Sequence, residues 1–419
     1  MSNNWNSLDN AAIIFPAAAG GADTQVFRIS CELHDKIDPD ILQNALDETI
    51  TIFRFYQSVL KRGLFWYYLE ESKLTPVVHI ENTQPCGNIY SPHHKKLLFD
   101  VSYFNNRVNL EIYHVLSDGT GALNFLKTLI TKYLSKRHQL PEPPLPFDVS
   151  ALQMSDDSFK KYYTGTRDVK RKLPKIACQL RGPKYPEDRL KVITGTVGIG
   201  PLIDAAHKYN TKLTVFLCAC LIEAISESVS AEQKANPIVL AVPVDLRQHF
   251  PSASVRNFFS ILLVGYDYAN QSGTFEDIIQ KISGDLATGT SQESLAKWID
   301  SNSAIEHLVV TRLTPLIIKD RFLKIAYNYT MRRDTAGFSN LGIISMPPEL
   351  SPHIRSFDFF SGTDKLQVCI CSFQDRLSIS FSSPFISTEI PKRFFRTLTD
   401  LNAVVEINTN NAGDGKGEI

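Results

Sequence analysis

The sequence predicts a mixed α/β protein of two domains, and three observations support this fold class. A chain of 419 residues is too long for a single small core and long enough for two domains of roughly 150 to 220 residues each. Both halves carry strand-like and helix-like hydrophobic patterns. A segment rich in proline and charge separates the halves. We therefore expect an N-terminal lobe at 1–150, a crossover linker at 151–190, a C-terminal lobe at 191–410 and a disordered tail at 411–419.

The first half alternates between strands and helices. The apolar run at 26–34 predicts a strand, and Pro39 opens a helical pattern because proline is tolerated in a first helical turn. The runs at 63–70 and 108–116 predict further strands. Apolar residues at helical spacing through 120–136 predict an amphipathic helix.

The second half adds more strands and helices and ends in a hairpin pattern. Strand-like and helical runs are found, in chain order, at 190–198, 201–210, 213–229, 237–244, 258–268 and 275–299. In the last part of the chain, 365–373 and 377–383 flank a polar turn. Serines alternate with larger apolar residues in 377–383, which predicts a hairpin strand with one buried face and one solvated face.

Composition excludes several classes of protein. Lysine plus arginine equals aspartate plus glutamate at 44 each, so no global field favours nucleic acid or an anionic membrane. The first residues lack the basic leader of a signal peptide, and no run has the length of a membrane span. Seven cysteines in a long chain suit reduced thiols better than a disulfide framework. We expect a soluble, cytoplasmic protein.

A histidine on an apolar strand face is the most informative feature of the sequence. In VNLEIYHVLSDGTG, Val108, Leu110, Ile112 and His114 share one face of a strand, because side chains alternate with a period of two. A buried imidazole is costly without partners. One interpretation is a core histidine bonded to backbone. The other is a neutral histidine at the mouth of a cleft, which can act as a general base near neutral pH.

Five short motifs together resemble one superfamily. His114-x-x-x-Asp118-Gly119 is similar to the HxxxDG motif of chloramphenicol acetyltransferases, plant BAHD acyltransferases, wax ester synthases and nonribosomal peptide condensation domains. Four further stretches resemble the alcohol acetyltransferase family. They are LDNAA at 8–12, VPVDLR at 242–247, RNFF at 256–259 and SNLG at 339–342. The motifs span nearly the whole chain in the expected order.

The resemblance implies a fold, a reaction and a donor. The fold would be two similar mixed α/β sandwich lobes with an active-site tunnel between them. His114 would take the proton from an acceptor hydroxyl or amine as that atom attacks an acyl thioester. The donor would be an acyl-CoA such as acetyl-CoA, used as a co-substrate without any bound cofactor. Since both halves supply motifs, a monomer can suffice.

The resemblance also implies roles for neighbouring residues. Asp118 would pair with an arginine, for which Arg247 is the candidate, and so fix the loop that orients the histidine; alternatively, Asp118 is simply a helix N-cap. Gly119 would permit a positive φ or a close approach of two chain segments. Polar residues that would line the tunnel, or merely occupy turns and strand ends, are Asn257, Ser339 and Asn340.

Other functions remain open at this point. Carrier-protein-dependent condensation is one alternative, although condensation domains carry two adjacent motif histidines and Tyr113 precedes His114 here. A non-catalytic binding protein of the same fold is another. We expect no metal site, because His93 and His94 lie in a polar loop. The aromatic run at 65–68 either lines an acceptor pocket or packs in a core.

Overall fold

A computed structural model of the chain describes residues 5–21, 23–144, 151–166, 175–186, 189–306 and 313–410. The tail predicted at 411–419 lies outside the described residues. The described chain is mixed α/β, which confirms the predicted fold class. Within these ranges no helix is both long enough and apolar enough to cross a membrane.

Fifteen strands are found in the described residues. In chain order they are β1 (Trp5–Ser7), β2 (Val26–Leu33), β3 (Ser58–Arg62), β4 (Tyr67–Glu71), β5 (His79–Ile80), β6 (Phe99–Phe104), β7 (Arg107–Tyr113), β8 (Lys191–Gly198), β9 (Ile238–Asp245), β10 (Phe259–Tyr266), β11 (Ala336–Ile344), β12 (Ile354–Ser361), β13 (Leu366–Phe373), β14 (Arg376–Ser383) and β15 (Val405–Thr409).

The α-helices lie between these strands. They are α1 (Phe15–Ala18), α2 (Pro39–Ile52), α3 (Gly119–His138), α4 (Ala151–Ser155), α5 (Ser158–Tyr162), α6 (Ile199–Lys208), α7 (Leu213–Ser228), α8 (Phe275–Gly289), α9 (Gln292–Glu306), α10 (Leu316–Thr330) and α11 (Glu389–Asp400). The helix predicted at 275–299 is thus two helices. The break follows Gly289, where an added Cβ would lie 2.8 Å from the side chain of Leu262.

The first lobe is built on a five-stranded sheet with the strand order β12-β2-β7-β6-β5. Its helices α2 and α3 pack on this sheet through apolar residues such as Leu46 and Phe125, both fully buried. Helix α2 begins as the sequence predicts, with Pro39 in its first turn and the Asp38 carboxylate accepting hydrogen bonds from the next turn. A separate three-stranded sheet, β1-β4-β3, lies in the same half of the chain.

The second lobe is built on a seven-stranded sheet with the order β10-β9-β11-β13-β14-β8-β15. Strand β11 runs parallel to both of its neighbours, and the other pairs are antiparallel. Helices α6, α7, α8 and α11 contribute buried apolar side chains to the core of this lobe.

One strand crosses between the lobes, so the boundary at 191 does not separate the two sheets. Strand β12 belongs to the second half of the sequence but pairs antiparallel with β2 in the first sheet. It also packs on the hairpin of β13 and β14, where Ser382 Oγ donates to Ser361 O at 2.7 Å. The prediction of one solvated face for β14 is therefore wrong: Ser378, Ser380 and Ser382 are all buried, because the first lobe covers them.

The predicted linker contains more regular structure than its composition indicates. Its described residues include the two short helices α4 and α5. Phe159 of α5 packs with Phe258 and with buried residues of α9. Further along, Cys178 N donates to Pro237 O at 2.8 Å. These contacts attach the crossover to the second half of the chain, at Phe258 just before β10 and at Pro237 just before β9.

Candidate active site

The histidine of the motif follows the last residue of β7 and is surrounded by aromatic rings. Its backbone N donates to Gln25 O at 2.8 Å, which continues the pairing of β7 with β2 for one residue. The imidazole lies 4.7 Å from the ring of Phe15, 4.9 Å from Phe27 and 5.5 Å from Phe259. Burial among these rings lowers the pKa of His114, so the imidazole is neutral near neutral pH.

Asn257 holds the imidazole from behind. Its Oδ1 lies 3.0 Å from His114 Nδ1, and its Nδ2 donates to His114 O at 2.9 Å. The same Nδ2 lies 3.3 Å from Asp9 Oδ2. Two acceptors therefore fix the Nδ2 end of the amide, so Oδ1 faces the ring and Nδ1 must carry its proton. The lone pair of a neutral imidazole is then on Nε2, for which the described part of the chain offers no hydrogen-bond partner.

This role differs from the one that the sequence suggested for Asn257. We expected it either at the wall of a tunnel or at a strand end; it lies two residues before β10, and its side chain is 1% exposed and bonded to the histidine. Asp9, which helps to orient the amide, lies in the 8–12 motif that the sequence identified without assigning a role. Burial raises its pKa to about 6 despite the nearby guanidinium of Arg256. The spacing of 248 residues between Asp9 and Asn257 hides this contact from any local pattern.

Asp118 bonds both to its own helix and to the second half of the chain. Its Oδ1 accepts from Gly121 N at 3.0 Å, which makes it the N-cap of α3. Its Oδ2 lies 2.8 Å from Arg247 Nη1 and accepts from Phe258 N at 2.8 Å. The contact expected with Arg247 is thus present together with the N-cap. In the described part of the chain, the Asp118 carboxylate makes no hydrogen bond to the imidazole.

Arg247 joins the segments that flank Asn257. Besides Asp118 it contacts Asp245 at 2.9 Å, and it donates to the carbonyl oxygens of Ser254 and Arg256. Its side chain is largely buried, and the two carboxylates keep its pKa above the ordinary value even though burial opposes the charge. This network fixes the backbone on both sides of Val255 and so the position of Asn257.

Two glycines at the start of α3 allow close packing. Gly119 does not have the positive φ that was one of the two expectations. The other expectation holds, because a Cβ there would lie 2.7 Å from Leu341 Cδ2. Gly121 is more constrained, with a built Cβ only 2.2 Å from Val255 O. No local pattern indicates a packing role for Gly121, because Val255 is 134 residues away in the chain.

Ser339 and Asn340 lie on β11, next to a bulge that begins at Asn340. Ser339 Oγ accepts from Gln367 Nε2 at 2.9 Å, and the exposed Asn340 donates to Thr214 Oγ1 at 3.0 Å. Neither side chain bonds to His114 or Asn257. Leu341, the next residue of the same motif, packs against Gly119 in the loop that follows the histidine. A position of Ser339 and Asn340 on the tunnel wall stays a prediction.

Two cavities adjoin this site. The inner cavity, of about 530 Å³, is walled by Phe15 and Phe259, both of which contact the His114 ring. The outer cavity, of about 700 Å³, lies against the three-stranded sheet and α10. The two share four lining residues, which are Ile13, Trp66, Lys319 and Leu323. The aromatic run at 65–68 therefore lines a cavity, and its use as an acceptor pocket stays a prediction.

Comparison with known proteins identifies the fold. No protein-family model and no curated protein matches this sequence. Among solved structures, the first condensation domain of the calcium-dependent antibiotic synthetase matches with a TM-score of 0.65 and 13% identity, over 96% of both chains. TRI101 of F. graminearum, crystallised with coenzyme A and T-2 mycotoxin, matches with a TM-score of 0.65 and 11% identity, over 96% of this chain and 99% of that one.

A third solved structure also matches the chain. Polyketide synthase associated protein 5 from Mycobacterium tuberculosis matches with a TM-score of 0.58 and 13% identity, over 94% of this chain and 96% of that one. The chain thus has the two-lobed fold of the chloramphenicol acetyltransferase-like and condensation-domain superfamily, which confirms the fold that the motifs imply.

Proposed function

We propose that this protein is an acyltransferase that moves an acyl group from a coenzyme A thioester to the hydroxyl or amine of a small acceptor, with His114 as the general base. One observation carries the proposal. Asn257 Oδ1, 3.0 Å from Nδ1, selects the tautomer whose free lone pair is on Nε2. Burial lowers the pKa of the same ring, so the basic form predominates at neutral pH.

The reaction then needs few protein groups. His114 Nε2 takes the proton of the acceptor O–H or N–H while the acceptor atom attacks the thioester carbonyl carbon. The tetrahedral intermediate collapses with cleavage of the C–S bond. The imidazolium returns its proton to the departing thiolate, which leaves as coenzyme A. No acyl-enzyme forms, and catalysis rests on positioning two substrates and on proton transfer.

The other residues of the site act on geometry. Asp118 and Arg247 hold the segment that carries Asn257, and Asn257 holds the imidazole. Both halves of one chain supply these residues, which supports a monomeric enzyme. Coenzyme A would be a diffusible co-substrate, by analogy with TRI101, which was crystallised with it. A cytoplasmic location rests on the sequence alone.

A second candidate reaction follows from the comparisons. The condensation domain matches this chain as well as TRI101 does, so the donor or acceptor could instead be attached to a carrier protein. Both reactions use the same histidine, and they differ in the thioester that the enzyme accepts. A non-catalytic protein of this fold would use neither.

The test is the release of free coenzyme A thiol from acetyl-CoA and longer acyl-CoAs against a panel of alcohols and amines. Wild type is compared with His114→Ala and with His207→Ala, a control on the exposed part of α6. Acceptor-dependent release that only His114→Ala abolishes supports the proposal. Turnover only with thioesters on a carrier protein supports the second candidate, and no histidine-dependent turnover with either donor contradicts both.

A further inference from the structure

The inner and outer cavities together form an apolar chamber beside the proposed base. The inner cavity is lined mainly by aliphatic and aromatic side chains, among them Ile14, Phe15, Phe259 and Ile261. The outer cavity adds Leu8, Leu64 and Leu316, with Trp66 and Leu323 common to both. Phe15 and Phe259 line the inner cavity and also contact the His114 ring, so the cavity lies next to the aromatic surroundings of the proposed base.

The charged residues that line the chamber, Lys319, Lys160 and Glu70, are already engaged, and the Glu70 carboxylate lies 3.4 Å from Lys61 Nζ. Lys319, 7% exposed, donates to Phe65 O at 2.8 Å and lies over the ring of Trp66. Burial lowers the pKa of its ammonium group. The other lysine that lines the chamber, Lys160, is at its outer end and is bonded to Ser7 and Asp157.

The mainly apolar lining disfavours a strongly polar occupant. A phosphate or a hydroxyl-rich group in the chamber would lose its bonds to water and meet mostly hydrocarbon, which is unfavourable. The polyanionic part of coenzyme A is therefore disfavoured there. An apolar group of matching size gains free energy in proportion to the area removed from water. The two volumes fall in the range of pockets that enclose a whole small organic ligand, about 300 to 1,000 Å³.

We propose that the chamber binds an extended apolar group, a hydrocarbon chain or fused ring skeleton of roughly ten carbons or more, carried by one of the two substrates. The inference rests on the proposed function, because the position beside His114 makes the occupant a reactant. The apolar group belongs either to the acyl donor or to the acceptor alcohol. The chemistry of recognition is the same in both cases, and the experiment separates them.

Binding is measured first, without turnover. His114→Ala is titrated calorimetrically with 1-hexanol and 1-decanol, alone and combined with Leu323→Trp, which fills the junction of the two cavities. Each added methylene should tighten binding by up to about fourfold. Leu323→Trp should weaken decanol binding at least tenfold and change hexanol binding little. The matched control is Ile325→Trp on the same helix, which lines neither cavity and is 66% exposed.

Turnover then shows which substrate carries the group. Acyl-CoAs of increasing length are assayed with a fixed acceptor, and alkanols of increasing length are assayed with acetyl-CoA. Both series compare the wild-type enzyme with the single variant Leu323→Trp, in which His114 is intact. A loss of only the longer members in one series supports the proposal and assigns the group to that substrate. The same kinetics for both enzymes in both series would overturn it, even if the acyltransferase activity stands.

The binding experiment also separates this proposal from the proposed function. Chain-length-dependent binding that Leu323→Trp removes would support the chamber even in a protein with no acyltransferase activity. Equal affinity for hexanol and decanol, or decanol binding unaffected by Leu323→Trp, would overturn the chamber whatever the activity. Unfolding curves of Leu323→Trp and Ile325→Trp confirm that both variants are folded.

Discussion

Replacing Asn257 by leucine tests how the imidazole is held. Leucine has a similar size but removes the acceptor 3.0 Å from His114 Nδ1 and the donor 2.9 Å from His114 O. A buried donor left without a partner costs about 1 to 3 kcal/mol. If the reactive orientation of the ring is destabilised by that free energy, kcat falls by about 5-fold to 150-fold.

The pH profile distinguishes this effect from a general loss of structure. Burial lowers the pKa of His114, and the hydrogen bond to Asn257 opposes that shift by favouring the protonated ring. The base is active when deprotonated, so the acid limb of kcat/KM should lie below the ordinary histidine pKa of about 6.5. In Asn257→Leu the limb should move to still lower pH, because the bond that favours the imidazolium is gone.

The assay is steady-state release of coenzyme A thiol over a range of pH, with Asn44→Leu on the exposed face of α2 as the control. The control should keep both the rate and the limb. A wild-type kcat in Asn257→Leu, or a limb that moves to higher pH, would refute the assignment of Asn257 as the residue that fixes the tautomer.

Three further predictions concern stability. Gly121→Ala forces a Cβ to within 2.2 Å of Val255 O and should lower the free energy of unfolding by about 1 to 3 kcal/mol in urea titrations. Gly284→Ala, at an open position of α8, should instead raise this free energy by roughly 0.5 to 1 kcal/mol. Equal effects of the two variants would contradict the packing argument. Asp118→Asn removes one of the two carboxylates that contact Arg247 in the described part of the chain, and it should cost about 3 kcal/mol in the same titration and also lower kcat. A stable but inactive variant would instead give Asp118 a direct chemical role. Burial raises the pKa of Asp9 from 3.8 to about 6, so the native state binds this proton more tightly than the unfolded chain. The stabilisation that protonated Asp9 gives at low pH is therefore lost as the pH rises from about 4 to about 6. Asp9→Asn should remove about 3 kcal/mol of this pH dependence of the free energy of unfolding, and an unchanged dependence would contradict the shift.

The local patterns of the sequence predict most of the fold. The strand at 26–34, the helix at Pro39 and the helix after the histidine appear as β2, α2 and α3 within a few residues. These elements have a strong period and a recognisable first turn. The crossing of β12 into the first sheet was not predictable in the same way, since pairing over more than 300 residues leaves no local pattern.

Burial was harder to predict than secondary structure. The alternating serines of β14 have the pattern of a strand with one solvated face, but β12 covers that face. A strand that packs against another lobe looks the same in sequence as one that faces water, because buried serines can bond to nearby carbonyls.

The site was predictable in part. The period of β7 and the following turn single out His114, and the motifs bring in Asp118 and Arg247. Composition and spacing gave Asn257 no more than a place near the site, since its bond to the imidazole depends on how two distant segments meet. Asp9 and Gly121 act through contacts of the same kind, with Asn257 Nδ2 and Val255 O.

The most direct test of the central claim is the rate of acceptor-dependent coenzyme A release by His114→Ala, measured beside wild type and His207→Ala with the best substrate pair from the panel. If His114 is the general base, the rate should fall by about 10²-fold to 10⁴-fold while the melting temperature stays close to that of the control. A folded His114→Ala protein with the wild-type rate would contradict the account.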